Sequence, residues 1–213
     1  SSAASDVYKR QLKNGFTPAG FFKEFVNLNR GFEEPVHSIR RQSEGIYAIL
    51  HFLAYEKKQG RKYPEWEQRV KQMFEMFLKL QNADGSFPRK FRDDFTIVDK
   101  SGGSTPSATL PLVLGYKYFK DKRYLASARK TAEYLEKELI SKADYFSSTL
   151  DANCEDKEAS LYAATATYYL SLITKGEEHK HYADLTKKAA YFALSWYCLL
   201  YTSPSPRDRT RSR

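Results

Sequence analysis

Cysteine is almost missing from this chain: Cys154 and Cys198 are the only two in 213 residues. Cys198 falls in a terminal stretch that reads as foreign to the fold, so one internal thiol is left. That excludes an internal disulfide framework and leaves the redox compartment unread. Histidine is scarce as well. His37, His51, His179 and His181 make no metal-ligand spacing, and His179 and His181 read as exposed in a polar loop. No apolar run reaches the roughly 18 residues a membrane helix needs, and no n-region and h-region open the chain, so a soluble protein with no membrane partner is expected. There is no Gly-rich phosphate loop and no Gly-x-Ser-x-Gly elbow. The expectation is chemistry without a metal or other cofactor, or no chemistry.

What the chain does have is apolar surface. It is 41% hydrophobic and 15% aromatic, enough for one substantial core. Residues 1–11 lack periodicity, and residues 198–213 cut off a helical pattern to become a Ser/Pro/Arg tail; both resemble translated adapter sequence. Residues 12–197 are therefore expected to carry the domain. The formal charge of +9 includes +1 from the first stretch and +3 from the last, which leaves +5 for the domain. Its Lys and Arg alternate with Glu along helix faces, and no Arg-rich block appears, so nucleic acid is not an expected partner.

Residues 12–40 read as irregular or as one short helix. From there the periodicity predicts helices in pairs. Ser43 reads as the N-cap of a mostly apolar helix ending near Gly60, and Pro64 as the first turn of an amphipathic one with Trp66, Val70, Met73, Phe74, Phe77 and Leu78 on its buried stripe. Thr105-Pro106 reads as the N-cap and first residue of the next apolar helix despite Pro111, and Asp121-Lys122 opens its amphipathic partner. A third pair starts near Asn153 and Asp156, with an inner helix from Ala159 to Ile173 and an outer run from Tyr182. Trp66, Tyr124 and Tyr182 stand 58 residues apart, and Val70, Ala128 and Thr186 repeat the interval four positions on. Such self-similarity predicts stacked helical hairpins, none able to bury its face alone.

The Gln81-Asn82-Ala83-Asp84-Gly85-Ser86-Phe87 loop is similar to the Gln-x-x-Asp-Gly-Ser-Trp element of terpene cyclases and prenyltransferases, with Phe in place of Trp. The pairing across residues 43–197 resembles the six-hairpin glycosidases and polysaccharide lyases, whose inner and outer helices alternate around an α/α toroid. The resemblance implies an all-α partial toroid of about three hairpins, roughly half a barrel, whose partner would be the missing remainder of its own domain. It also implies a carbohydrate substrate and, by family alone, a periplasmic or extracellular setting. Uronide hydrolases and amino-sugar epimerases of the same shape are not separated by these residues.

In such toroids the substrate funnel lies where inner helices begin. Glycoside hydrolysis needs two carboxyl groups, about 5–5.5 Å apart for retention and about 6.5–9.5 Å for inversion. The resemblance therefore nominates Asp156, Asp151, Asp94 and Glu155 as catalytic, and Glu44, Arg89, Lys90, Arg92, Asp93, Asn153 and Glu158 as substrate-binding. The cationic Arg89, Lys90 and Arg92 would suit a uronic acid. Each has a plainer reading. Asp84-Gly85 is a turn, Asn153 and Asp156 make a capping box, Asp93-Asp94 sit in a solvated charged loop, and Glu155 and Glu158 complement a helix dipole. Cys154 reads as buried and inert. Tyr47, Tyr116, Tyr118, Tyr162, Tyr168 and Tyr169 line either a sugar-stacking cleft or the core. A non-catalytic helical-repeat binding module and a terpene-cyclase-like toroid stay open beside the hydrolase.

Overall fold

The computed structural model describes residues 14–24, 26–27, 32–33, 36–146 and 155–202. In chain order these form β1 (Val26–Asn27), β2 (Phe32–Glu33), β3 (Val36–Ser38), α1 (Ile39–Lys58), α2 (Pro64–Leu80), β4 (Lys90–Arg92), β5 (Ile97–Asp99), α3 (Thr105–Phe119), α4 (Lys122–Tyr134), a π-helical extension of α4 (Leu135–Ile140), α5 (Lys157–Ile173) and α6 (Gly176–Thr202). Asp151, Asn153 and Cys154 lie outside the described residues.

The helix starts follow local capping chemistry. Pro64 opens α2, with Glu65 and Glu67 in the first turn at the positive end of the helix dipole. Asp121 caps α4 by accepting from the Arg123 N–H, and Asp156 caps α5 by accepting from the Glu158 N–H. The first inner helix corrects the expectation of a Ser43 cap. Ser38 is the cap, its extended backbone (φ −107°) held by Glu24, which accepts from the Ser38 N–H at 2.6 Å and Oγ at 3.1 Å. Ser43 is buried on the second turn instead. At α3 the cap is Ser104 rather than Thr105, and Thr105 Oγ1 accepts from the Phe87 N–H at 2.9 Å. Pro111 lies inside α3 without ending it. Every residue from Thr105 to Val113 is buried, so packing outweighs the hydrogen bond the proline removes.

The helices alternate as inner and outer. Inner α3 packs against inner α1 on one side and inner α5 on the other, while α4 closes a hairpin on α3 and α6 one on α5. The repeated positions are core positions: Trp66, Tyr124 and Tyr182 are all buried, as are Val70 and Ala128, then Met73, Thr131 and Ala189, then Phe77, Leu135 and Ala193. Tyr124 stacks on Phe74 of α2 at 4.3 Å. Burying such a side chain contributes about 1.5–3 kcal/mol, so three repeats of the stripe dominate the helical packing. His179 and His181, expected in a loop, lie on α6, because Gly176 (φ +60°) starts that helix before Tyr182.

The Gln81–Phe87 element is architecture. Asp84 accepts from the Ser86 N–H at 3.0 Å and Ser86 Oγ at 2.7 Å, an Asx turn, and Gly85 takes the positive φ of +89° that the turn requires. Lys90–Arg92 and Ile97–Asp99 are strands of a small sheet that sequence did not show, and Asp93 and Asp94 lie in the turn between them, in line with the charged loop expected for that pair. β4 pairs antiparallel with β3 and with β5, in the register His37 with Phe91 and Ser38 with Lys90. The Ile39 N–H then donates to the Arg89 carbonyl at 3.1 Å, so the sheet is fastened to the start of α1.

Candidate functional site

A cavity of about 480 Å³ opens at the beginnings of α1, α3 and α5. Arg40, in the first turn of α1, organises it. Its Nε donates to Glu44 Oε1 at 3.1 Å, the neighbour one turn along the helix, and its Nη1 stands 2.7 Å from Glu158 Oε2 in the first turn of α5. The guanidinium lies over the Tyr162 ring, 5.3 Å from its centroid. Burial alone would lower the Arg40 pKa, but its hydrogen bond to Glu44 and the charges of Tyr162, Glu158 and Glu44 carry it above its ordinary value. Tyr162 donates its phenol to Glu44 Oε1. Burial, and then that hydrogen bond, push this phenol up to about 12, so it remains a neutral donor at physiological pH.

Tyr47 continues the wall. Its hydroxyl and that of Tyr169 share a hydrogen bond of 2.9 Å from α1 to α5, and its ring meets His51 edge-on at 4.4 Å. Ser43 lines the same cavity, and its buried Oγ has no hydrogen-bond partner among the described residues. Apart from the polar groups, Leu110 and Leu161 supply apolar surface.

Of the residues nominated from sequence, the structure brings Glu44 and Glu158 together. Asp156 stands at the same helix end, 9% exposed. Its Oδ1 accepts from the Glu158 N–H at 2.8 Å, and its Oδ2 is buried without a hydrogen-bond partner among the described residues. Glu155 is exposed and bridges to Phe146. The others lie on the small sheet or in the segments that flank its strands. Arg89 is buried and its Nη1 donates to Asp99 Oδ2 at 3.2 Å, which corrects the picture of a solvated loop; Lys90 and Arg92 occupy β4, Arg92 exposed. Asp93 accepts from Thr17 Oγ1 at 2.9 Å and lies 2.5 Å from Nε2 of the buried His37. Asp94 holds the Thr96 N–H at 2.9 Å, and that backbone bond keeps its carboxyl below the usual range.

Arg40 is the residue that sequence reading missed. Its i, i+4 spacing to Glu44 was a usable signal, whereas its approach to Glu158 spans most of the chain and leaves none. Among the described residues no group of three His, Cys, Asp or Glu side chains is placed to hold a metal ion, and no helix is long and apolar enough to cross a membrane.

No family model matches the chain. Solved structures do resemble it. An unsaturated glucuronyl hydrolase specific for heparin is 15% identical with a TM-score of 0.63, the match covering 85% of this chain and 52% of that one. A UGL variant recorded with dGlcA-Glc-Rha-Glc is 12% identical with a TM-score of 0.64, over 88% and 54%. An unsaturated glucuronyl hydrolase from Streptcoccus agalactiae is 13% identical with a TM-score of 0.57, over 87% and 49%. The chain thus spans about half the length of the structures it resembles. With alternating inner and outer helices and that likeness together, this chain is an all-α, partial α/α toroid with the six-hairpin glycosidase-like fold.

Proposed function

We propose that this chain is part of a carbohydrate-active toroid enzyme, a glycoside hydrolase, whose saccharide enters the cavity at the starts of α1, α3 and α5. The observation that carries the reading is the carboxylate pair Glu44 and Glu158 on either side of Arg40 inside that cavity. Two carboxyl groups are what acid/base cleavage of a glycosidic bond requires, one to protonate the leaving oxygen and one to act on water or on the anomeric carbon. Tyr47 and Tyr162 offer ring faces of the kind sugars pack against, and Ser43 offers a hydroxyl. The likeness to glucuronyl hydrolases, which act on saccharides, supports the class of chemistry.

In this reading Asp156 positions rather than reacts. Its bond to the Glu158 N–H fixes the first turn of α5, and with it the direction in which Glu158 leaves the helix. Asp94 and Glu155 are not among the residues that line the cavity, and Asp151 and Asn153 lie outside the described residues. The remaining part of the toroid would complete the cleft from the far side.

The test is to incubate the chain, and the complete parent protein, with a panel of plant and host oligosaccharides while following binding and release of product together. Release that falls at least about 100-fold in Glu158→Gln and in Glu44→Gln supports the assignment. Binding without release in any sample would instead favour a non-catalytic helical-repeat module.

A further inference from the structure

The charge of the cavity bears on which sugar it takes. Among the described residues its lining carries one cation, Arg40, and two carboxylates, Glu44 and Glu158. Each carboxylate side chain is 46% exposed, so neither is withdrawn from an incoming ligand. Their engaged oxygens are Glu44 Oε1, which takes both Arg40 Nε and the Tyr162 hydroxyl, and Glu158 Oε2, which takes Arg40 Nη1. Each therefore has its second oxygen to offer a donor. A uronate entering here would meet the two like charges of Glu44 and Glu158 beside the single cation Arg40.

Resting on the reading of this cavity as a saccharide site, we propose that it selects a sugar bearing a protonated amine over one bearing a carboxylate. The ammonium would be drawn by the net negative charge of the lining, two carboxylates against one cation. The ring face of Tyr47 adds a quadrupole that attracts a cation and does nothing for an anion, while the Tyr162 ring already carries Arg40. Ser43 Oγ, buried, unpartnered among the described residues and lining the same cavity, gives a sugar hydroxyl a fixed partner. The cationic residues that suggested a uronic acid do not answer this balance. Arg89 is buried against Asp99, and Lys90 and Arg92 sit on β4.

The test measures dissociation constants of the whole chain for glucosamine, glucose and glucuronate at pH 7 in low salt, by calorimetry or ligand-observed NMR. A non-sugar pair, cyclohexylammonium and cyclohexanecarboxylate, is run beside them. The expected order is glucosamine, then glucose, then glucuronate. About three- to tenfold per step is expected, compressed by 0.5 M salt. Glu158→Gln should narrow the gap between glucosamine and glucuronate; a gap unchanged in that variant overturns the assignment to this carboxylate. Glucuronate binding as tightly as glucosamine overturns the selection and leaves the saccharide site standing. If no sugar binds while cyclohexylammonium still outcompetes its carboxylate analogue, the saccharide reading fails and the charge selection stands; if that pair shows no preference either, both fall.

Discussion

Gln81 and Ser127 clasp each other across two hairpins. Gln81 Nε2 donates to the Ser127 carbonyl at 3.1 Å while Ser127 Oγ donates back to Gln81 Oε1 at 2.7 Å, and the same Nε2 reaches the Gly85 carbonyl at 3.1 Å. One amide thus ties the end of α2, the Asp84-Gly85 turn and the middle of α4 together. The motif-like loop has its meaning in this clasp, which aligns neighbouring repeats.

Replacing Gly85 by alanine should be the most damaging small change in that loop. A Cβ built there would lie 2.0 Å from the Lys130 carbonyl oxygen, at a φ of +89° that L-residues rarely adopt. Both effects oppose the substitution, and a loss of about 3 kcal/mol or more is expected in urea unfolding. Gln81→Ala should cost about 1–3 kcal/mol, since it strands the buried Ser127 hydroxyl. Stability within about 0.5 kcal/mol of the parent in both variants would contradict the clasp.

The fold should weaken in acid. Arg61 bonded to Glu56, Arg129 bonded to Glu178, Arg123 bonded to Asp121 and Lys142 bonded to Glu138 each hold a carboxyl below its ordinary pKa. Folded values lie below unfolded ones near 4, so this stabilisation is complete above about pH 4 and is lost as pH falls through the folded values. Unfolding midpoints measured from pH 7 to pH 2 should drop mainly in the last two units. In Glu178→Gln that drop should be shallower.

Alkali should act through the tyrosines. Burial pushes Tyr124, Tyr134, Tyr145, Tyr162 and Tyr182 up to about 12. These phenols favour the fold while neutral, so their contribution is intact below the unfolded value near 10 and disappears as pH rises toward 12. Phenolate absorbance at 295 nm from the buried five should therefore appear only as pH rises toward 12, together with unfolding.

The core stripe should behave as one unit across repeats. Phe77 is fully buried and packs 5.6 Å from the Phe87 ring. Phe77→Ala should cost about 3–5 kcal/mol by chemical denaturation, and the exposed Phe52→Ala no more than about 1. Equal losses at the two positions would deny that the stripe, and not general hydrophobicity, holds the hairpins together.

The hairpins were legible because their signal is long and periodic: Trp66, Tyr124 and Tyr182 repeat at 58 residues and all three are buried. Ends were less so. Ser38 and Ser43 are equally good capping residues by type, and only Glu24, 14 residues before Ser38, decides between them. The sheet was missed because strands of three residues, such as Lys90–Arg92, are too short for an alternation to show. At the site, Glu44 and Glu158 were named from their places at helix starts, but what joins them was not. Arg40 reads locally as one more surface cation, and its link to Glu158 exists only after α1 and α5 have packed on either side of α3.

Glu44 and Glu158, proposed as the reacting carboxyls of a saccharide site built around Arg40, are tested by separating turnover from binding in Glu158→Gln with whichever oligosaccharide the parent protein cleaves. In that variant kcat should fall at least about 100-fold while the dissociation constant for the saccharide stays within about tenfold of the parent. Unchanged kcat in Glu158→Gln and in Glu44→Gln would show that neither carboxyl reacts.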